Sequence, residues 1–558
     1  MTNDKSSFNL ASALGVVIVF LAGCEDREPY GTATESLAAP ESGVQQTASR
    51  LKSHMEFLAD DRLAGRYPGD IGYDVAALYV ETRLRSFGVG YVPGYGSYLD
   101  PVSLVRSERD FTEQKLRIGS CEVSPDDPDL VFGASMSADG QEDVDAAAVF
   151  VGYGIEAPEY NMDDYAGVDV DGKVAVFLNG FPSSIPGEVG AHYVLMKTEF
   201  AAANGAIATL ELETHASLRR RTWELIRQTF NGPTVNLEGI PPQESPLAFR
   251  SSIRTHGAVS ECLFTDAPKS LEALLAEADV DGALPGGFAL NTSVSYQRQN
   301  SRSYYSSPNV LGMIPATTAG QDAAPILLIA HLDHLGVVEN DSGDHIYNGA
   351  LDNAVGVSVL LEIARELSQG NAELLRPVIF AFVSAEESGM IGSAKLARDL
   401  DESLPKKLAA VINVDMPMLF FPFEDVVALG ANHSDLGQIV DEVTAAFGLQ
   451  HSPDPSPEQG SFTRSDHYRF VQEGVPALSL RVGTAGDDAG LAADFYHHHY
   501  HQPSDDLSRP IDWTASVQFT EFVTALTLAV SNSEATPRWY TDSIFGQVYA
   551  PDAAKAER

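Results

Sequence analysis

The chain has 558 residues and a mass of 59.9 kDa, with 44% hydrophobic and 20% charged residues, a balance that excludes wholesale disorder. Its 78 acidic residues against 36 basic ones leave a formal charge of −42, which argues against nucleic acid as a partner because phosphate-backbone binding needs a basic surface. Three cysteines are too few for a disulfide-built scaffold, and no apolar run reaches the roughly 20 residues of a membrane-spanning helix.

Residues Leu10 to Gly23, LASALGVVIVFLAG, have the size of a signal-peptide core, with Lys5 the only basic residue ahead of them. The run ends in Leu21-Ala22-Gly23-Cys24, which resembles a bacterial lipobox. That resemblance implies a signal peptide over 1–23 and a lipid on Cys24. It also implies a place in the bacterial cell envelope, periplasmic or at the cell surface, held to the membrane by the anchor. Residues 24–49 are polar, with small residues and Pro, and read as a flexible tether. Cys121 and Cys262 then remain, either as a disulfide, which an oxidising compartment permits, or as two unpaired thiols.

Helical periodicity over Leu51 to Gly88 places Ala77, Val80, Leu84 and Phe87 near one face, and Gly88 ends it. Short strands follow at Val102–Val105 and Leu116–Ile118, completing an N-terminal part of the main domain over 50–129. Residues 130–290 read as a mainly β insert, with Asp171-Gly172 as a turn between apolar runs. From Pro308 strands and helices alternate. PILLIAH is a buried strand, and DNAVGVSVLLEIARELSQG is a helix with Asp352 or Asn353 near its start and Gly370 as its stop. Such alternation predicts an α/β domain over 291–533, its largely parallel sheet covered on both faces. A tail that is aromatic at first and then polar, with a fraying end, occupies 534–558.

Ligands of open α/β sheets bind beyond the carboxyl ends of the strands. There the sequence sets His331 and Asp333 after PILLIA, then Asp352, then Glu386-Glu387 after PVIFAFVSA, then Asp415 after LAAVINV. A histidine cluster, His497 to His499 and His501, follows the last strand. Each residue alone has a bland explanation: a helix cap, a solvated loop acid, a structural imidazole. Their joint occurrence at successive strand ends points to an N/O-ligand zinc site, with enough carboxylates for two metals sharing one of them. No GxSxG elbow, HExxH helix, Walker loop or dinucleotide fingerprint offers a rival chemistry.

In order and spacing, HLDHLG, ALDNAVG, SAEESGMIGS, NVDM, RSDHY and YHQPSDD resemble the dizinc aminopeptidase family of metallopeptidase clan MH. That family takes in bacterial leucyl aminopeptidases, aminopeptidase Y and glutamate carboxypeptidase-like enzymes. FLADDRLAGRYPGD resembles its N-terminal segment, and VFVGYGIEAP with DYAGVDVDGKVAVFL resembles the protease-associated domain of many members. The resemblance implies a zinc-peptidase α/β/α sandwich with a mixed, largely parallel sheet and an inserted protease-associated domain.

The resemblance also implies two Zn2+, other divalent metals being possible, on His331, Asp352, Glu387, Asp415 and His501, with Asp352 bridging and a cis bond at Asn353. Glu386 would be the general base and Asp333 would hold the ring of His331. Tyr500 would bond the oxyanion. His497 is the runner-up to His501, which alone is followed by QPSD. Ser465, Asp466 and His467 would line the substrate rim or brace the ligand strands, and a packed structural His467 stays open. His334, His345, His433 and His451 are left as structural or surface residues. The implied activity is a metal-dependent exopeptidase removing N-terminal amino acids from peptides. A glutamate carboxypeptidase-like carboxypeptidase, a glutaminyl cyclase and a non-catalytic binding protein are the alternatives.

Overall fold

The computed structural model describes residues 43–110, 115–135, 141–239, 253–317, 323–338, 343–370, 372–404, 406–485 and 489–558. Residues 1–42, and with them the signal segment, Cys24 and most of the tether, lie outside the described residues. The helix Gly43–Leu58 already begins inside the expected tether and buries Leu51, Met55 and Leu58. The tether's expected end at 49 therefore moves back: the polar letters of 43–49 are the first turns of an amphipathic helix.

The main sheet has eight described strands. Their spatial order is Leu99–Asp100, Asn309–Ile314, Val378–Val383, Ile326–His331, Ala410–Val414, Ala477–Val482, Asp425–Leu429 and Gln450–Ser452. Ile326–His331 lies in the middle, parallel to both neighbours. The edges run antiparallel, at Asn309–Ile314 and at Asp425–Leu429 against Ala477–Val482, so the sheet is mixed. Strands buried on both faces explain why ILLIAH and VIFAFV are continuous apolar runs. One face packs against Val359, Val440 and Phe519 of three helices, and the other against Leu396, Tyr468 and Phe545. This is the expected α/β/α sandwich.

A second sheet carries the insert, and its limits differ from the expected 130–290. The chain leaves the main sheet after Asp100 and returns at Asn309. Between them, Ser103–Arg109 pairs with the end of the 19-residue strand Phe288–Ser306, which also pairs with Gln141–Phe150. The insert sheet thus spans 103–306. Its flanks, SLVRSER and NTSVSYQRQNSRSYYS, are too polar to announce strands; pairing with each other makes them so. Cys121 and Cys262 form a disulfide within it, deciding between the two alternatives left by the sequence.

The C-terminal segment does not fray. Trp539 is 2% exposed and its indole N–H donates to the Gly474 carbonyl at 2.8 Å, while Phe545 is fully buried on the short helix Ile544–Tyr549. The aromatic residues of 534–558 complete the core of one face of the sandwich, which the polar residues around them conceal in the sequence. Among the described residues no helix is long and apolar enough to cross a membrane.

Candidate metal centre

The ligand loops converge at the carboxyl end of the central strands. His331 ends its strand, 1% exposed. Its Nε2 lies 3.1 Å from Asp352 Oδ1 and 3.3 Å from Asp415 Oδ1. On the other side of Asp352, Oδ2 lies 3.2 Å from His501 Nε2, which is 3.1 Å from Glu387 Oε2. Two imidazole–carboxylate groups therefore share Asp352. The expected ligands come together as a set, and His501 takes the place for which His497 was runner-up. His497 is exposed on the helix Ala489–His498, with its ring against His498.

These donors fit a metal. One ligand atom each of His331, Asp352 and Glu387 lies within 4.8 Å of the others. His501 Nε2 is within 3.2 Å of two carboxylates yet forms no hydrogen bond with either, so it aims between them. Imidazole nitrogens and carboxylate oxygens, without sulfur, suit zinc and its divalent neighbours.

The surroundings hold these side chains in place. Ser465 donates to Asp415 Oδ2 at 2.6 Å, and the Asp352–Asn353 peptide bond is cis. Asn353 Oδ1 accepts the N–H of Gly356, at the start of the helix Val355–Gln369. Asp333 is buried, and its part differs from the expected one. Its main-chain carbonyl, 3.1 Å from His331 Nδ1, meets the ring, while its carboxylate accepts the N–H groups of Glu386 at 3.1 Å and Glu387 at 3.4 Å. Burial pushes Asp333 up to about 7 against the opposing charge of His331.

Glu386 stands in the wall of a cleft of about 1040 Å³, with Glu387, Tyr500 and His501. Burial raises its carboxyl well above the ordinary range; the charge of His331 opposes this and those of Asp466 and Glu387 add to it. The Tyr500 ring stacks on His501 at 3.8 Å.

Of the alternatives left open for Asp466 and His467, the substrate rim is corrected and the packed, bracing position is what the structure shows. Both are fully buried behind the ligand strands. Asp466 accepts from Ser393 Oγ at 2.6 Å, and His467 packs on Phe462, its imidazole pushed down to about 3 by burial. The short helix beginning at His467 turns both inward and leaves Arg464 on the cleft.

Three contributors escaped the sequence reading. His334 is buried, its Nδ1 2.6 Å from Glu387 Oε1. Asp505 holds the backbone at Asp352. Arg66, 1% exposed with a φ of 50°, donates to the carbonyls of Leu58, Leu332, Asn348 and Gly349, and so fastens the His331 loop to the one leading to Asp352. The available signals were the second histidine of HLDH, the aspartate of QPSD and the basic residue of LAGR.

Residues 309–527 match Peptidase family M28. Aminopeptidase NAALADL1 of Rattus norvegicus is 30% identical over 193 residues, 32% of this chain and 23% of that protein. The probable lipoprotein aminopeptidase LpqL of Mycobacterium tuberculosis is 30% identical over 221 residues, 36% of this chain and 42% of that protein. The chain thus spans less than half the length of these curated relatives. The solved aminopeptidase from Aneurinibacillus sp. strain AM-1 shares the fold, at a TM-score of 0.50 and 19% identity, over 88% of this chain and 95% of that one. The match to Peptidase family M28 lies over residues 309–527, which carry all five converging residues His331, Asp352, Glu387, Asp415 and His501.

Proposed function

We propose that this chain is a zinc-dependent exopeptidase that removes N-terminal amino acids from peptides. The observation that carries the reading is Asp352, shared by two imidazole–carboxylate groups, one of which, His501 with Glu387, lines the cleft beside Glu386. His331, Asp352 and Asp415 would hold one ion, and His501, Glu387 and Asp352 a second. Ions bound there would supply Lewis acidity and a water acidic enough to be deprotonated near neutral pH. Glu386 is the base that accepts this proton and returns it to the leaving amine. Tyr500, stacked beside His501, donates its hydroxyl proton as a hydrogen bond to the oxygen on which charge develops. Asp333 fixes the Glu386–Glu387 backbone and so keeps base and ligand in register.

The LAGC sequence ending at Cys24 supports a lipid anchor, as does the similarity to the probable lipoprotein aminopeptidase LpqL. The insert is read as a protease-associated domain on its VFVGYGIEAP and DYAGVDVDGKVAVFL segments.

The test is incubation with zinc and a mixed peptide library, read by mass spectrometry, beside N-acetylated peptides and Glu386→Gln. Loss of residues from free N-termini alone is expected, with Glu386→Gln keeping its metal and losing about 10²- to 10⁴-fold in turnover. Shortening from the C-terminus would replace this reading with a carboxypeptidase, and cleavage of nothing by the zinc-loaded protein would refute it.

A further inference from the structure

The cleft is walled on one side by the peptidase domain and on the other by the insert, and its lining carries six basic and five acidic side chains, where the whole chain has 36 and 78. Among the cations that line it, most are engaged. Lys197 donates to the carbonyls of Leu178 and Gly180. Arg254 pairs with Glu211 and Glu213, and Arg298 with Glu142. Arg220 also has a partner. Two remain: Arg221, which follows the short insert helix His215–Arg220, and Arg464, just ahead of Ser465 in the peptidase domain. Among the described residues neither guanidinium meets a carboxylate or a hydrogen-bond acceptor.

Arg221 is only partly exposed. Burial, and after it the like charge of Arg464, hold its guanidinium below the ordinary value, while Tyr500 beside them acts in the opposite sense. Arg464 is exposed on the same cleft, so the cost of a cation without a partner falls on the partly buried Arg221. In a chain with 78 acidic residues, a partner from the protein itself would have been easy to provide. A guanidinium matches a carboxylate as a planar, two-pronged donor, and the pairing is strengthened away from bulk water.

We propose that Arg221 and Arg464 together bind a carboxylate of the peptide substrate, one arginine from each wall of the cleft. The carboxylate is either the C-terminus of a short peptide or the side chain of an Asp or Glu near the scissile bond. The inference rests on the peptidase reading above and narrows its substrates to anionic peptides short enough to enter the cleft.

The experiment compares kcat/KM of the zinc-loaded full-length protein on four peptides. Leu-Ala-Ala as free acid against its C-terminal amide reads the terminus. Leu-Glu-Ala amide against Leu-Gln-Ala amide reads the side chain. One of these two ratios is expected at about 10 to 100 in favour of the carboxylate, the worth of a charge-assisted contact. That ratio should fall toward one in Arg221→Gln and in Arg464→Gln. Each ratio is taken within one protein sample, so partial misfolding of a variant cancels. Two wild-type ratios near one would overturn the inference while leaving the peptidase standing. A ratio that survives in either variant would overturn the pairing. Cleavage of none of the four would sink the peptidase reading and the inference together.

Discussion

Asp505 grips the backbone of Asp352. Its Oδ1 accepts the N–H of Leu351 at 2.9 Å and its Oδ2 that of Asp352 at 3.0 Å. The residue lies four positions after His501, so one loop delivers a proposed ligand and also clamps the residue shared between the two groups. Burial pushes the Asp505 carboxyl up to about 6. Asp505→Asn puts an amide against two N–H groups of which it can accept only one. Metal affinity should fall about 10- to 100-fold, the usual cost of losing such support. Competition with a chromogenic chelator measures this, and unchanged affinity would refute the role.

His501 and His497 make opposite predictions. His501 Nε2 sits between Asp352 and Glu387, and the His497 ring is exposed. His501→Ala should lose bound metal and activity together, while His497→Ala keeps its metal content by mass spectrometry. The reverse pattern would restore His497 as the ligand. Chelation should abolish turnover in the wild type, and zinc should restore it.

Arg66 makes hydrogen bonds to four carbonyls at 2.5 to 3.0 Å without a carboxylate partner. Burial lowers its guanidinium to about 10, against the pull of Asp333 and Asp505. Arg66→Met would leave these carbonyls unsatisfied, at about 1–3 kcal/mol each and less than additively. A loss of at least about 3 kcal/mol is expected in urea unfolding of the metal-free protein. Arg66→Lys should recover only part, since an ammonium has three donors and no planar fork. Full recovery by lysine would reduce the role of Arg66 to charge.

His192 links the insert to the peptidase domain. Its Nδ1 is 2.6 Å from the Tyr468 hydroxyl and 3.3 Å from that of Tyr549, with Phe545 and Tyr193 around the ring. Burial lowers the imidazole from 6.5 to about 4, and Glu159 opposes the shift. The folded protein thus holds the neutral ring where the unfolded chain would bind a proton. Its contribution is complete above about pH 6.5 and is lost as the pH falls from there toward 4, on the order of 3 kcal/mol in all. Unfolding free energies at pH 7 and pH 4.5 should converge in His192→Gln relative to wild type. An unchanged pH slope would sink the assignment.

The sandwich was legible because its central strands are uninterrupted apolar runs bounded by turn residues, and ILLIAH needs little context to be a buried strand. The insert's limits were not. Ser103–Arg109 and the far half of Phe288–Ser306 are polar strands that exist by pairing with each other. The burial of Trp539 and Phe545 was not legible for a similar reason, since a short aromatic segment after the last long helix has no periodicity to show that it packs.

The sequence by itself determined which chemistry this chain could carry. Histidines and carboxylates at successive strand ends are a one-dimensional pattern, and strand direction alone brings those ends together. Only the tertiary structure decided who supports whom. Asp333 turned from the ring of His331 to the backbone of the next loop, Asp466 and His467 went inward, and His334 came to lie on Glu387. Arg221 and Arg464, more than 200 positions apart, came to line one cleft. A side chain's direction at a loop depends on dihedral angles set by distant packing, which local residue types do not encode.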